Sequence, residues 1–213
     1  YNWTNSNTSI GLPASGTGNI ASFTAINGGT TVVVATITVT LVFTNAGVTC
    51  PGIPRNFTIT VNPIPTVNAV NNQTVCAGAM TTAITFTGAV AGSSYSWINS
   101  NTAIGLGAGG TGNIAAFTAV NGGTTPITGT ITVTPTYTNG GATCSGTPIN
   151  FTITVNPSPT VSAVTNQTLC AGSSTAAINF SGNLASTVYN WTNSNTSIGL
   201  PASGTGNIAS FTA

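Results

Sequence analysis

An all-β array of small antiparallel sandwiches is what this sequence predicts, and three observations predict it. The first is a repeat: Tyr1 recurs as Tyr95 and Tyr189, Trp3 as Trp97 and Trp191, Cys50 as Cys144, and Cys76 as Cys170, always 94 residues on. About two thirds of positions agree between 1–94 and 95–188 without a gap, and 189–213 repeats 1–25 letter for letter. So long and regular a period marks a tandem array whose unit is a small domain. The second is an apolar period of two inside the unit. The third is punctuation by Asn-Gly-Gly turns and Pro-x-Pro joints, with no sustained helical period.

Taken in order, the alternation runs through Ile37, Val39, Leu41 and Phe43, spaced by Thr38 and Thr40. It returns in Phe57, Ile59 and Val61, in Ile84 and Phe86, and in Phe151, Ile153 and Val155. Apolar-in, Thr-out alternation is the mark of half-buried antiparallel strands. Asn27-Gly28-Gly29, Asn121-Gly122-Gly123 and Asn139-Gly140-Gly141 supply turns between them. Roughly seven short strands per unit fit an immunoglobulin-like sandwich. In such a unit Trp3, Trp97 and Trp191 are core aromatics. Tyr95 joins them, because Tyr95-Ser96-Trp97 puts both rings on one face of a strand. An exposed sugar-stacking platform is the other use of these rings.

Val61-Asn62-Pro63-Ile64-Pro65 and Val155-Asn156-Pro157-Ser158-Pro159 are the boundaries. Alternating prolines favour an extended, semi-rigid connector and cannot join a central ladder. Residues 66–159 then form one complete unit, 1–65 the C-terminal part of one, and 160–213 the N-terminal part of another.

The chain has no Asp, Glu, His or Lys and one Arg. Soluble domains ordinarily carry about a quarter charged residues, so Thr, Asn, Ser and Gly must supply the polar surface. At 40% hydrophobic the chain is not composed like a disordered one. Its charge barely responds to pH or salt, which suits exposure to a variable medium. General acid–base catalysis needs a His or carboxylate, and a Ser or Thr nucleophile needs an adjacent base, so no enzyme activity is expected. Calcium normally asks for carboxylates and nucleic acid for Lys and Arg. Neither ligand is expected, nor is any cofactor or metal. Arg55 is replaced by Ile149 in the next copy. No run is long and apolar enough to span a bilayer.

Gly16-Thr17-Gly18 and Gly110-Thr111-Gly112 lack the Lys and following helix of a phosphate loop, and read as turns. Thr-x-Thr rows resemble ice-binding arrays, but each unit offers only a few short rows on sheets that twist. Thr is simply a good strand former for an uncharged face. Asn-x-Ser/Thr recurs, as at Asn72 and Asn166, at a frequency that composition alone would produce.

The cysteines form two repeating classes, Val75-Cys76-Ala77-Gly78 and Thr49-Cys50-Pro51-Gly52 with their copies. Without His or a CxxC pair they argue for disulfides and an oxidising, extracytoplasmic location. Cys76 and Cys144 are the pair within the complete unit. Topology objects, since the two fall at opposite ends of a sandwich. The alternatives are a bond between successive units, which gives Cys50 and Cys170 partners outside this segment, or free thiols.

The order Val-Cys-Ala-Gly, Tyr-x-Trp, Gly-Thr-Gly-Asn-Ile, Cys-x-Gly, Phe-Thr-Ile-Thr-Val-Asn-Pro resembles the PKD-like and Ig-like tandem repeats of giant Bacteroidetes surface proteins. Gliding adhesins of the SprB type are the best-known members. The resemblance spans the whole chain. It implies export by the type IX system, display at the cell surface, and a non-catalytic role in the shaft of an adhesin for gliding and attachment. Implied partners are neighbouring repeats, extracellular polysaccharide or substratum, and other surface gliding or secretion proteins. Where the PKD motif carries acidic residues after Tyr-x-Trp, this chain has Ile98-Asn99-Ser100-Asn101, so no acidic function carries over. Two rivals stand beside this reading: a polysaccharide-binding module, and a fibre that self-assembles by strand complementation.

Overall fold

The structure is a computed structural model describing residues 1–213. Fourteen strands and three single 3-10 turns make up its regular structure. The first copy contains β1 (Asn2–Asn5), β2 (Ser15–Thr17), β3 (Val33–Thr40), β4 (Val42–Asn45), β5 (Val48–Pro51) and β6 (Arg55–Val61). The second contains β7 (Gln73–Cys76), β8 (Ser94–Asn99), β9 (Gly109–Thr111), β10 (Ile127–Asn139), β11 (Ala142–Ser145) and β12 (Ile149–Asn156). The third contains β13 (Asn190–Thr192) and β14 (Ser203–Thr205).

The second copy is the most complete. Its main sheet runs β7-β12-β10-β8-β9, with β11 pairing onto the far end of β10. All pairings are antiparallel except β7 with β12, which is parallel. Ile131 and Val133 of β10, with Phe151, Ile153 and Val155 of β12, turn inward and are buried. Opposite lies a less regular layer joined by the bridges Met80↔Thr118 and Ile84↔Ile114. It contributes Ile84, Phe86, Ile114 and Ala119 to the same core. Two β layers over one apolar core are consistent with a β-sandwich.

Alternation marked neither burial nor a regular strand everywhere: Phe43, expected to face inward, is 68% exposed. Ile84 and Phe86 are buried as expected, yet only one bridge forms there. The Phe86 N–H donates to Asn113 Oδ1 at 2.9 Å, so a side chain supplies the acceptor a neighbouring strand would provide. Leu41 is also corrected: β3 ends at Thr40, and Leu41 is 56% exposed. In the second copy the strand runs on through Pro135, which sits where β12 pairing has stopped and β11 pairing has not begun. Pro135 also pairs with Tyr95 of β8, but its carbonyl accepts from Gly146 N at 2.9 Å on the opposite side, so the missing N–H costs β8 no bond.

The glycine segments are corrected too. Gly110 and Thr111 lie in β9, and Gly16 and Thr17 in β2, each paired antiparallel with the Trp-bearing strand. Only the following Gly18 and Gly112 turn, at φ of 73° and 70°. Gly140 and Gly141 form the β10–β11 turn at φ of 58° and 78°, the left-handed pair a two-residue hairpin of type I′ requires.

In 160–213 the positions matching β7 form no strand. The chain holds no third copy of β12 to pair with them, so an equivalent sequence stays irregular. Tertiary pairing, not local propensity, makes β7 a strand.

Candidate functional site: the joint between units

Side-chain amides do the work that charged groups do elsewhere. Asn99 is 8% exposed. Its Nδ2 donates to Leu106 O at 2.9 Å and Asn101 O at 3.0 Å, while its Oδ1 accepts from Asn101 N at 3.0 Å. This holds the 3-10 turn Thr102–Ile104 and buries Ile104. Asn5 and Asn193 repeat the donation to Leu12 and Leu200, both at 2.8 Å. Gln73 makes paired 2.9 Å bonds with the backbone of Thr82. Asn121 Nδ2 donates to Thr125 O and Val155 O, both at 2.8 Å. Composition placed Asn among the residues that keep the surface polar and missed these internal struts. Their recurrence at fixed offsets before turns was the available signal.

The aromatics lie on the inner face of their strands. Trp3 is buried in a core with Ile10, Leu12, Ala35, Ile37 and Val61. Trp97 and Tyr95 are partly buried and pack against the second core, and Tyr95 sits 5.8 Å from Phe86, centroid to centroid. Trp191 is half-buried. It lines a groove of about 590 Å³ with Val164, Leu169, Ile178, Phe180 and Ile208. Their second-copy equivalents pack beneath β10 and β12, so the groove is the uncovered inner face of a unit rather than a carved pocket.

All four cysteines are free thiols, and the expected Cys76–Cys144 bond is not made. Cys76 pairs with Asn156, beside the Val155↔Ile127 pair, whereas Cys144 pairs with Tyr137. Ten residues of β10 separate Ile127 from Tyr137, about 35 Å of strand. A disulfide requires Cα atoms within about 7 Å.

The joint between the first two copies is the most specifically built place in the chain. Asn62 Nδ2 donates to Asn139 O at 3.0 Å, and Asn139 Nδ2 donates back to Asn62 Oδ1 at 2.9 Å. A longer contact reaches Ala142 O at 3.4 Å. Pro63 and Pro65 are fully buried, as is Pro135. A β-carbon at Gly146 would collide with the Pro65 carbonyl, so the linker lies directly along the β10–β11 hairpin. In the first copy the matching hairpin β4–β5 is exposed at every residue. The Pro-x-Pro segment is therefore a packed element, not a free spacer.

The joint holds its two units together by packing and by amide hydrogen bonds. No helix is long and apolar enough to cross a membrane. No protein-family model matches this chain, and no curated protein matches it.

Proposed function

We propose that this chain is a non-catalytic segment of the shaft of a very large bacterial cell-surface adhesin, serving surface attachment and gliding motility. Its units are immunoglobulin-like, PKD-like sandwiches displayed outside the cell. The observation that carries the reading is the packed joint. Buried prolines and the reciprocal Asn62–Asn139 bonds fix one unit against the next, as a rod under tension requires and a string of independent binding modules does not. The near absence of charge agrees with it, because such a rod keeps its shape across external salt and pH. Contact with the substratum comes from a tip, or from many weak contacts along the shaft acting by avidity.

The test is an antibody fragment against residues 66–159 applied to live cells. Signal that travels along the surface supports the gliding shaft. Static signal reduces the reading to a passive stalk, and no signal on intact cells overturns the surface assignment.

A further inference from the structure

We propose that successive units are cross-linked by a disulfide joining the Cys76 position of one unit to the Cys50/Cys144 position of the next. This rests on the reading of the chain as an end-to-end array. The two halves of the contact are seen separately, and the repeat puts them together.

On one side, Cys76 lies in register with Asn156 across the parallel β7–β12 ladder. Paired residues project to the same face of a sheet, so the thiol points the way the Asn156 amide points. Ala77 N donates to Asn156 O at 2.8 Å, and Ser158 Oγ to Ala77 O at 2.8 Å, so Cys76 is held at the start of the linker. On the other side, Asn62 is the Asn156 of the first copy. Its amide reaches the Asn139–Ala142 turn of the following unit. Cys144 stands two residues beyond Ala142, opposite Tyr137, on the same hairpin face as Asn139. That face is the one the linker covers. Cys144 is accordingly half-buried, whereas Cys50 in the first copy is exposed.

Superposing the copies places the Cys76 position beside the Asn62 position, and the Asn62 amide already touches the hairpin that carries Cys144. The same placement gives every cysteine here a partner in an adjoining unit and none within its own, which accounts for four free thiols in this chain. Closing the bond removes two protons and two electrons from the thiol pair. They pass by exchange to an oxidised disulfide, which leaves as two thiols. Each joint is then crossed twice by covalent chain.

The repeat itself supplies the test, because 189–213 copies 1–25 rather than 95–119, so residues 26–65 can complete the third unit. The 213-residue chain carrying Cys50→Ser is extended by a copy of residues 26–65 that keeps its cysteine, completing its third unit. It is oxidised with glutathione disulfide and digested with chymotrypsin under non-reducing conditions. The expected product links the Gln-Thr-Val-Cys peptide of Cys76 to the Gly-Val-Thr-Cys peptide appended from Cys50. Cys144 and Cys170 remain titratable thiols, and Cys76→Ser removes the link. A Cys76 peptide joined to Gly-Ala-Thr-Cys of Cys144 overturns the proposal, as does a full complement of thiols after oxidation. Small-angle scattering on the same sample separates the two readings. An elongated particle without the bond sinks the cross-link alone, whereas a collapsed one sinks the array.

Discussion

The indole of Trp97 occupies the space where Gly110 would carry a side chain: a β-carbon there would lie 2.6 Å from Cζ2 and 3.0 Å from Cε2 of the ring. Trp3 with Gly16, and Trp191 with Gly204, make the same contact. The conserved-looking glycine of each Gly-Thr-Gly run is thus a seat for a tryptophan on the neighbouring strand. Gly110→Ala should cost about 1–3 kcal/mol by overpacking. Gly107→Ala should be close to neutral, since nothing lies within 4 Å of its β-carbon position, and its counterparts are Pro13 and Pro201. Urea denaturation of the two variants side by side checks this, and equal losses would refute the seat.

Asn99 should be intolerant of a change that keeps its size but not its donors. Asn99→Asp replaces two donated bonds to carbonyl oxygens with a carboxylate facing them. A buried, unpaired charge of this kind costs on the order of 3 kcal/mol or more at neutral pH. The sign with pH follows. Repulsion by the carbonyls raises the folded-state pKa of the new carboxyl above its unfolded value, so the penalty is full above that pKa. It is relieved as pH falls through it, when a protonated carboxyl can donate again. A denaturation midpoint that rises on acidification in the variant and not in the parent is the expected result.

The parent chain should be unusually indifferent to salt. With one Arg and no acidic side chain, it has no side-chain ion pair to screen. Raising sodium chloride from about 10 to 150 mM, which shortens the screening length from roughly 30 to 8 Å, should move its thermal midpoint by no more than about a degree. Calorimetry at the two concentrations checks it. A larger shift would reveal an electrostatic contribution that this composition does not provide.

How much of this was legible beforehand depends on whether a residue's partner is local. Phe57 and Phe151 occupy the same position in the same Phe-Thr-Ile-Thr-Val run, and both were expected to face a core. Phe151 is 2% exposed and Phe57 47%, because the second copy has the facing layer and the first does not. Alternation reports which face of a strand is apolar, not whether anything covers it. The amide struts were illegible for a related reason. Asn99, Asn121 and Gln73 look like any other polar residues until the carbonyls they cap are brought to them by folding. The candidate joint was half legible: the prolines marked its place, and their burial under the β10–β11 hairpin of the next unit had no sequence period to announce it.

That burial yields the last prediction. If prolines alone stiffened the linker, removing the Asn62 amide would leave the angle between units unchanged, since Pro63 and Pro65 would remain. The structure locates the restraint in docking instead: Asn62 and Asn139 exchange two bonds and a third reaches Ala142 O. At about 0.5–1.5 kcal/mol for each of the two shorter hydrogen bonds, Asn62→Ala should weaken docking by roughly 1–3 kcal/mol. The first and second units should then sample a wider range of angles without either unit losing stability. Asn156→Ala is the matched control, because the same position there has no hairpin within the chain to hold. Spin labels on either side of the joint should show a broadened distance distribution for Asn62→Ala and an unchanged one for Asn156→Ala. Unchanged distributions in both would return the stiffness to the prolines.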